Sequence, residues 1–337
     1  MNKLLFIFII FTPIGLNAQA FIENGVYYVK LSTDNVGVAN PNKSSFYKGD
    51  IVIPEIVKYN NKTYTVTSIE NFAFMGSEGL TSVTLPKTIT IIGDRSFSGC
   101  MGLTTFVIPE NVTIIGYDAF YGSNNIKDIY IPKSVTTICS RAFSGLERLI
   151  IEDGDQPLQL VTLYSINDNT PFHICPLKTV YLGRDLEYTS QYAPFRDNTK
   201  LEKLIIGKGA TKIGSYLFDG CSSLTSIVSL NSNPPSCDYS SAFSGVDKNY
   251  CVVWVPQGSL SSYKVANVWN GFTNICKIVE GDLNLDGQVD QYDLEVLVGF
   301  VMGENSNDNY KCLADLNGDE NIDAADLVMM VNLIREW

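Results

Sequence analysis

The sequence predicts a mostly β solenoid of 23-residue repeats, followed by a small all-α pair of helices. Three observations predict it. Phe74, Phe97, Phe120 and Phe143 recur 23 residues apart, as do Gly76, Gly99, Gly122 and Gly145. Ile69, Ile92, Ile115 and Ile138 recur in the same phase, with Leu85-Pro86, Ile108-Pro109 and Ile131-Pro132. A fixed period of this length means stacked units that share one continuous core. Finally, two acidic stretches, beginning at Asp282 and Asp315, each run directly into an amphipathic segment. The chain divides accordingly into residues 1–20, 21–280 and 281–337.

The first segment, MNKLLFIFIIFTPIGLNAQA, reads as a secretory signal peptide. Lys3 supplies the positive start, Leu4 to Phe11 the apolar run, and Ala18-Gln19-Ala20 a small-x-small cleavage site. Nothing after it approaches the roughly 20 apolar residues of a membrane span. The expectation is a secreted protein, extracellular or held at a cell surface. The eight cysteines, an even number, permit disulfides without fixing a pairing. Cys100 and Cys221 occupy equivalent repeat positions, which favours small buried side chains over a bridge. No paired C-x-x-C spacing suggests zinc.

Each repeat reads L-x-x-V-x-L/I-P, then x-x-V/I-x-x-I-G, then x-x-A-F-x-G. Leu80-Val83-Leu85, Leu103-Phe106-Ile108 and Ile126-Ile129-Ile131 are three examples. Inward apolar positions on a short extended segment predict one strand per unit, paired in parallel with its neighbours. Proline at the strand end removes a ladder donor and stops the pairing. The A-F-x-G element returns the chain, with Phe filling the core. The frame reappears in Leu177-Val180-Leu182, Leu201-Leu204-Ile206 and Leu224-Ile227, with turns at Phe195, Phe218 and Phe243. Residues 146–176 break the period and are expected to carry an insertion. GVYYVKL and the stretch from Asp50 to Thr67 are expected to cap one end; residues 252–272 would cap the other.

In-phase recurrence of several residue types resembles the BspA-type (Treponema-type) leucine-rich repeat family, over roughly residues 50–275. That resemblance implies a leucine-rich-repeat solenoid on extracellular or surface proteins, with a binding, often adhesive, role and no enzymatic activity. Positions just before the last apolar residue of each strand face away from the core. Val107, Tyr130, Tyr181 and Ile205 are therefore candidates for a face that recognises a protein or glycan. The competing account is that β-branched and aromatic residues simply favour strands.

Charge narrows the function further. The formal net charge is −12, and residues 281–337 hold 13 Asp/Glu against 2 Lys/Arg. An acidic tail repels nucleic acid and attracts cations, and no basic patch with interleaved aromatics occurs. The single histidine, His173, lies between apolar residues, where a structural role is the ordinary one. Neither a G-x-S-x-G elbow nor an H-E-x-x-H motif is present. Glu152, Asp153 and Asp155 form the densest acid cluster before the tail, in the irregular stretch. No catalytic residue is assigned.

The tail repeats itself. Asp282, Asn284, Asp286, Asp290 and Asp293 stand at positions 1, 3, 5, 9 and 12 of a loop. Asp315, Asn317, Asp319, Asp323 and Asp326 take the same five positions 33 residues later. Ca²⁺ is a hard cation that takes about 6–8 oxygen ligands, and alternating Asp/Asn on a tight loop converge to supply them. The position-7 carbonyls of Gln288 and Asn321 add one each. Leu294, Leu297, Val298 and Val301 mark the face of the first following helix. Leu327, Met330, Val331 and Ile334 mark the second. Aspartate at position 12, with the 33-residue duplication, resembles a type I dockerin. That resemblance implies two Ca²⁺ sites on the residues named and a cohesin-like partner. Positions 10 and 11, Gln291-Tyr292 and Ala324-Ala325, would meet the partner. Position 6 is Gly287 in the first loop but Glu320 in the second, so the second site is expected to be weaker. Two rival readings are a polysaccharide-degrading, glycoside hydrolase-associated component and a calcium-stapled structural cap with no docking partner.

Overall fold

The computed structural model of the chain describes residues 19–40, 46–162, 170–237, 239–284, 288–302, 314–317 and 321–336. The signal-peptide reading of residues 1–18, together with Cys312, Asp286, Gly287, Asp319 and Glu320, lies outside these.

The period becomes a spiral of coils because each coil is bonded to the next on three sides. A seven-stranded parallel sheet runs through Asp128–Ile131, Arg148–Ile151, Thr179–Arg184, Lys203–Gly209, Ser226–Ser229, Val252–Val255 and Asn274–Lys277. A second sheet, of ten strands, begins with the antiparallel strands Ala20–Glu23, Val26–Lys30 and Asn35–Ala39. Lys62–Ile69 follows, then the short strands Ile91–Ile92, Ile114–Ile115, Thr137–Cys139, Leu158–Val161 and Leu186–Glu187. Most units thus have two strands where the pattern predicted one. The second is only two to four residues long, below what alternation can mark. The third side is the A-F-x-G turn. There Phe72, Phe74 and Gly76 donate backbone N–H to Asp94, Ser96 and Ser98 at 2.9, 2.7 and 2.7 Å.

These turns need left-handed backbone twice. Gly76, Gly99, Gly122 and Gly145 have φ of 72–78°, where a Cβ would be strained. Two residues before each of the first four phenylalanines, Phe72, Arg95, Asp118 and Arg141 have φ of 51–64°. The double reversal points every phenylalanine inward. Phe74, Phe97, Phe120, Phe143, Phe172, Phe195, Phe218 and Phe243 stack with ring centroids 5.0–5.8 Å apart. Their planes lie within 20° of parallel. Tyr47 tilts onto one end of the stack and Trp269 onto the other.

Phe172 completes the ladder inside the irregular stretch. Residues 146–176 therefore contain a full coil, with Leu146, Leu149 and Ile151 buried, and the extra residues lie between its second strand and its turn. The array also continues past the expected cap. Val252–Val255 and Asn274–Lys277 are its last two strands, while helix α1 (Leu260–Val265) and Trp269 close the core. At the other end, Lys48–Val52 pairs with Gly79–Thr84 as part of a coil. The segment Leu103–Ile108 pairs with neither neighbour among the described strands. Its Phe106 instead wedges edge-on between Phe97 and Phe120, at 4.8 and 4.7 Å.

Three residues beyond the turn phenylalanine, a small polar side chain ties one coil to the one before. Cys100 Sγ donates to the carbonyl of Phe74 at 3.1 Å, Ser123 Oγ to Phe97 at 2.6 Å and Cys221 Sγ to Phe195 at 3.2 Å. Cysteine here does what serine does, and no disulfide joins the described cysteines. Burial pushes the thiols of Cys100, Cys139, Cys175, Cys221 and Cys251 up to about 12.

Two outcomes are expected. Phe120→Ala opens a void in the middle of the stack and should cost about 3–5 kcal/mol in denaturant unfolding. Native-state alkylation at pH 8, read by mass spectrometry, should leave those five thiols unmodified while full unfolding exposes them.

Candidate functional site

In the tail, loop and helix are one construction. Helix α2 (Gln291–Val301) begins at Asp290, whose Oδ1 accepts the N–H of Tyr292 at 2.8 Å. Asp293 turns back. Its Oδ2 accepts the N–H of Asp290 at 2.9 Å, and its Oδ1 accepts those of Leu283 and Asn284 at 2.7 and 2.9 Å. The second copy repeats this arrangement ahead of helix α3 (Ala324–Glu336). Asp326 Oδ1 accepts Leu316 and Asn317 at 2.8 and 3.2 Å, and Oδ2 accepts Asp323 at 2.8 Å. Positions 9 and 12 of each loop thus make the start of the following helix, a capping box written with two aspartates.

Asp282, Asp293 and Asp326 are fully buried. Burying carboxylates is costly unless charge and hydrogen bonds offset it. The backbone N–H groups supply part of that offset, and a carboxylate keeps further lone pairs for a cation. The buried carboxylates at position 12 of both copies and position 1 of the first are hard oxygen donors of the kind Ca²⁺ takes, whereas Asp290 is half-buried, Asp323 is exposed, and no three such side chains converge among the described residues. Asn284 and Asp315 are half-buried, while Gln288, Asn317 and Asn321 are exposed. Leu283, Val289, Leu297, Phe300, Ala314, Leu316 and Met330 form the core between the two copies. All four candidate partner residues, Gln291, Tyr292, Ala324 and Ala325, are exposed. Beside them Leu294, Val298, Val331 and Ile334 line an open apolar groove between α2 and α3, edged by Glu295 and Arg335.

The expected platform is not one face: Val107 lies on the segment before the seven-stranded sheet, and Tyr130, Tyr181 and Ile205 lie on that sheet. Val107 and Tyr130 are 80% and 39% exposed, but Tyr181 and Ile205 only 4% and 1%. With Val228 and Leu230 these two form a second apolar cluster outside the solenoid core, against Ile150, Trp254 and Ile278. Both lie outside the solenoid core, yet residues arriving from other coils bury them. Tyr181 also spends its hydroxyl on Asp153, at 2.7 Å.

The acid cluster at 152–155 is likewise engaged. Asp153 accepts from Tyr181 and, at 3.3 Å, from the N–H of Gly209, while Glu152 accepts the N–H of Lys133 at 2.6 Å. Buried Arg184 lies by this loop, its Nη1 and Nη2 donating to the carbonyls of Lys133 and Pro132 at 2.9 and 3.0 Å. His173 is exposed on a turn.

Residues 43–153 and 158–250 match the BspA type Leucine rich repeat region, in six copies. The chain belongs to that family. Residues 280–335 of this BspA-type protein match the Dockerin type I domain. Solved leucine-rich repeat proteins resemble it at low identity. One from Bacteroides ovatus is 20% identical, covering 77% of this chain and 76% of its own, with a TM-score of 0.37. One from Bacteroides capillosus is 25% identical over 40% of this chain and 98% of its own, with a TM-score of 0.36. The T. pallidum Leucine Rich Repeat protein is 20% identical over 62% and 78%, with a TM-score of 0.36. No curated protein is detectably similar. Dockerin type I domains bind calcium and imply docking to a cohesin, and both matched domains are of non-catalytic types. Among the described residues, no helix is long and apolar enough to cross a membrane.

Asp293→Ala leaves the N–H groups of Leu283, Asn284 and Asp290 without their acceptor. It should weaken calcium binding by the first loop at least tenfold by calorimetry and lower helical circular dichroism. Asp326→Ala should do the same for the second.

Proposed function

We propose that the chain is a secreted, non-catalytic binding protein of the cell exterior, whose calcium-folded C-terminal module tethers it to a cohesin-bearing partner. The repeats serve recognition and the module serves attachment. One observation carries this reading: the buried position-12 carboxylate of each loop holds both the loop backbone and the helix start. Asp282, Asn284, Asp286, Gln288 (through its carbonyl), Asp290 and Asp293 would hold one Ca²⁺. Asp315, Asn317, Asp319, Asn321 (through its carbonyl), Asp323 and Asp326 would hold the other. When bound, calcium supplies the positive charge that lets these carboxylates stay buried. Gln291-Tyr292 and Ala324-Ala325 stand at the exposed starts of α2 and α3, next to the apolar groove. The two copies differ there, so they would offer the partner unlike faces.

The test is capture of a cohesin domain by the full chain, with calcium and with chelator. Calcium-dependent capture that is lost in the Asp293→Ala/Asp326→Ala double variant is the expected result. Capture unchanged by chelation would overturn the proposal. The rival of a cap without a partner expects no capture, and a lower melting temperature of the repeats on chelation.

A further inference from the structure

The chain has six arginines and 18 lysines. Three arginines, Arg95, Arg141 and Arg196, sit on the A-F-x-G turns, and no lysine does. Arginine stacks on rings and grips carboxylates with a planar fork, which lysine does not. The turns put both abilities to use. Buried Asp118 takes Arg141 through two bonds, Nε to Oδ1 at 2.9 Å and Nη2 to Oδ2 at 2.8 Å. From the coil on the other side, Arg95 Nε donates to Asp118 Oδ2 at 3.1 Å.

Aromatic rings interleave with these guanidiniums. Arg95 and Arg141 lie 5.4 and 4.9 Å from the Tyr117 ring centroid, and Arg141 also donates to the Tyr117 hydroxyl. Arg141 lies 5.1 Å from Tyr121, and Arg95 lies 6.0 Å from Phe72. The result is an alternating strip across four successive coils. One buried carboxylate serves two guanidiniums. The other acid nearby, Asp94, is half-buried, and its Oδ1 accepts the backbone N–H of Tyr117 at 2.8 Å. What faces outward is therefore mainly guanidinium edge and tyrosine ring, although Arg95, Arg141, Asp94 and Asp118 together carry little net charge.

We propose that this strip, Phe72, Arg95, Tyr117, Arg141 and Tyr121, binds a carboxylate-bearing polysaccharide. The N–H groups of Arg95 and Arg141 that Asp118 and Tyr117 leave over can donate charge-assisted hydrogen bonds to a ligand carboxylate. Asp118 already fixes their orientation, so little side-chain freedom remains to be lost on binding. Tyr121, 41% exposed, offers a flat apolar surface to the C–H face of a sugar ring. The two guanidiniums belong to alternate coils, whose phenylalanines stack in steps of 5.2–5.3 Å along the solenoid axis. An extended acidic peptide places same-face side chains about 6.8 Å apart, two residues at ~3.4 Å each, and falls out of step with the coils. This surface is separate from the docking module, and either reading can fail without the other.

The test is titration of the full chain with short oligogalacturonides in calcium-free buffer, where the ligand does not gel. Neutral oligogalactosides and poly-glutamate serve as comparisons. The Arg95→Lys/Arg141→Lys variant keeps the charges but loses the forks and stacking. Tyr121→Ala touches an exposed ring. Melting temperatures identify any variant that has not folded, and Tyr121→Ala decides alone if the double variant fails. The expected result is binding of the uronate at least tenfold tighter than the neutral sugar. The double variant should lose at least tenfold, and Tyr121→Ala severalfold. Overturning results are no uronate binding, equal binding of the neutral sugar, tighter binding of poly-glutamate, or folded variants that bind as the parent does.

Discussion

The stack of phenylalanines is the constraint on which the rest depends. A single coil cannot bury its own ring; the faces of Phe120 are covered by Phe97 and Phe143, at 5.3 and 5.2 Å. Offset aromatic pairs add about 0.5–1.5 kcal/mol beyond area burial, and every coil contributes to two of them. Stacking therefore fixes the coil-to-coil distance, and that distance is one at which parallel strands can pair. The sheets, the turn ladder and the Ser/Cys hydrogen bonds all follow the rings in register. Tyr47 and Trp269 end the stack by tilting, which leaves no flat face for another ring.

Much of this was legible in the residues because the period repeats several signals at once. Phe, Gly and Pro in fixed phase gave the solenoid, and the duplicated aspartates gave the tail. Coils that break the phase were harder to see. The Phe172 coil has Thr170-Pro171-Phe172-His173-Ile174 where the coil before it has Ala142-Phe143-Ser144-Gly145, so neither alanine nor glycine marks it. The second sheet was missed because two-residue strands such as Ile91–Ile92 carry no alternation. In the tail, spacing marks the candidate ligand positions. It did not reveal that Asp290 and Asp293 also build the helix start, because that depends on which backbone N–H groups the carboxylates meet.

The candidate surfaces divide along the same line. Alternation tells which way a strand residue points, but exposure depends on what other coils bring. Tyr181 and Ile205 point outward and are still buried, since Val228, Leu230 and Ile278 close over the same row. The turns show the converse. Arg95, Asp118 and Arg141 take left-handed backbone, as their neighbours in the period do, so their positions look merely structural in sequence. Only the side-chain bonds separate them from a plain turn, and those join residues 23 apart.

The junction between the two parts has no slack. Ile278 continues the last strand by donating its N–H to Val255 at 2.7 Å, and it packs on the outer sheet cluster. The very next residue, Val279, packs in the helical core. Gly281 then turns at φ 90°, so close to α3 that a Cβ would lie 3.0 Å from Leu333. Tension applied through the helices would accordingly have no spacer to stretch. It would arrive at Asn274–Lys277, the final strand of the seven-stranded sheet, and the array would resist it or peel away one coil at a time.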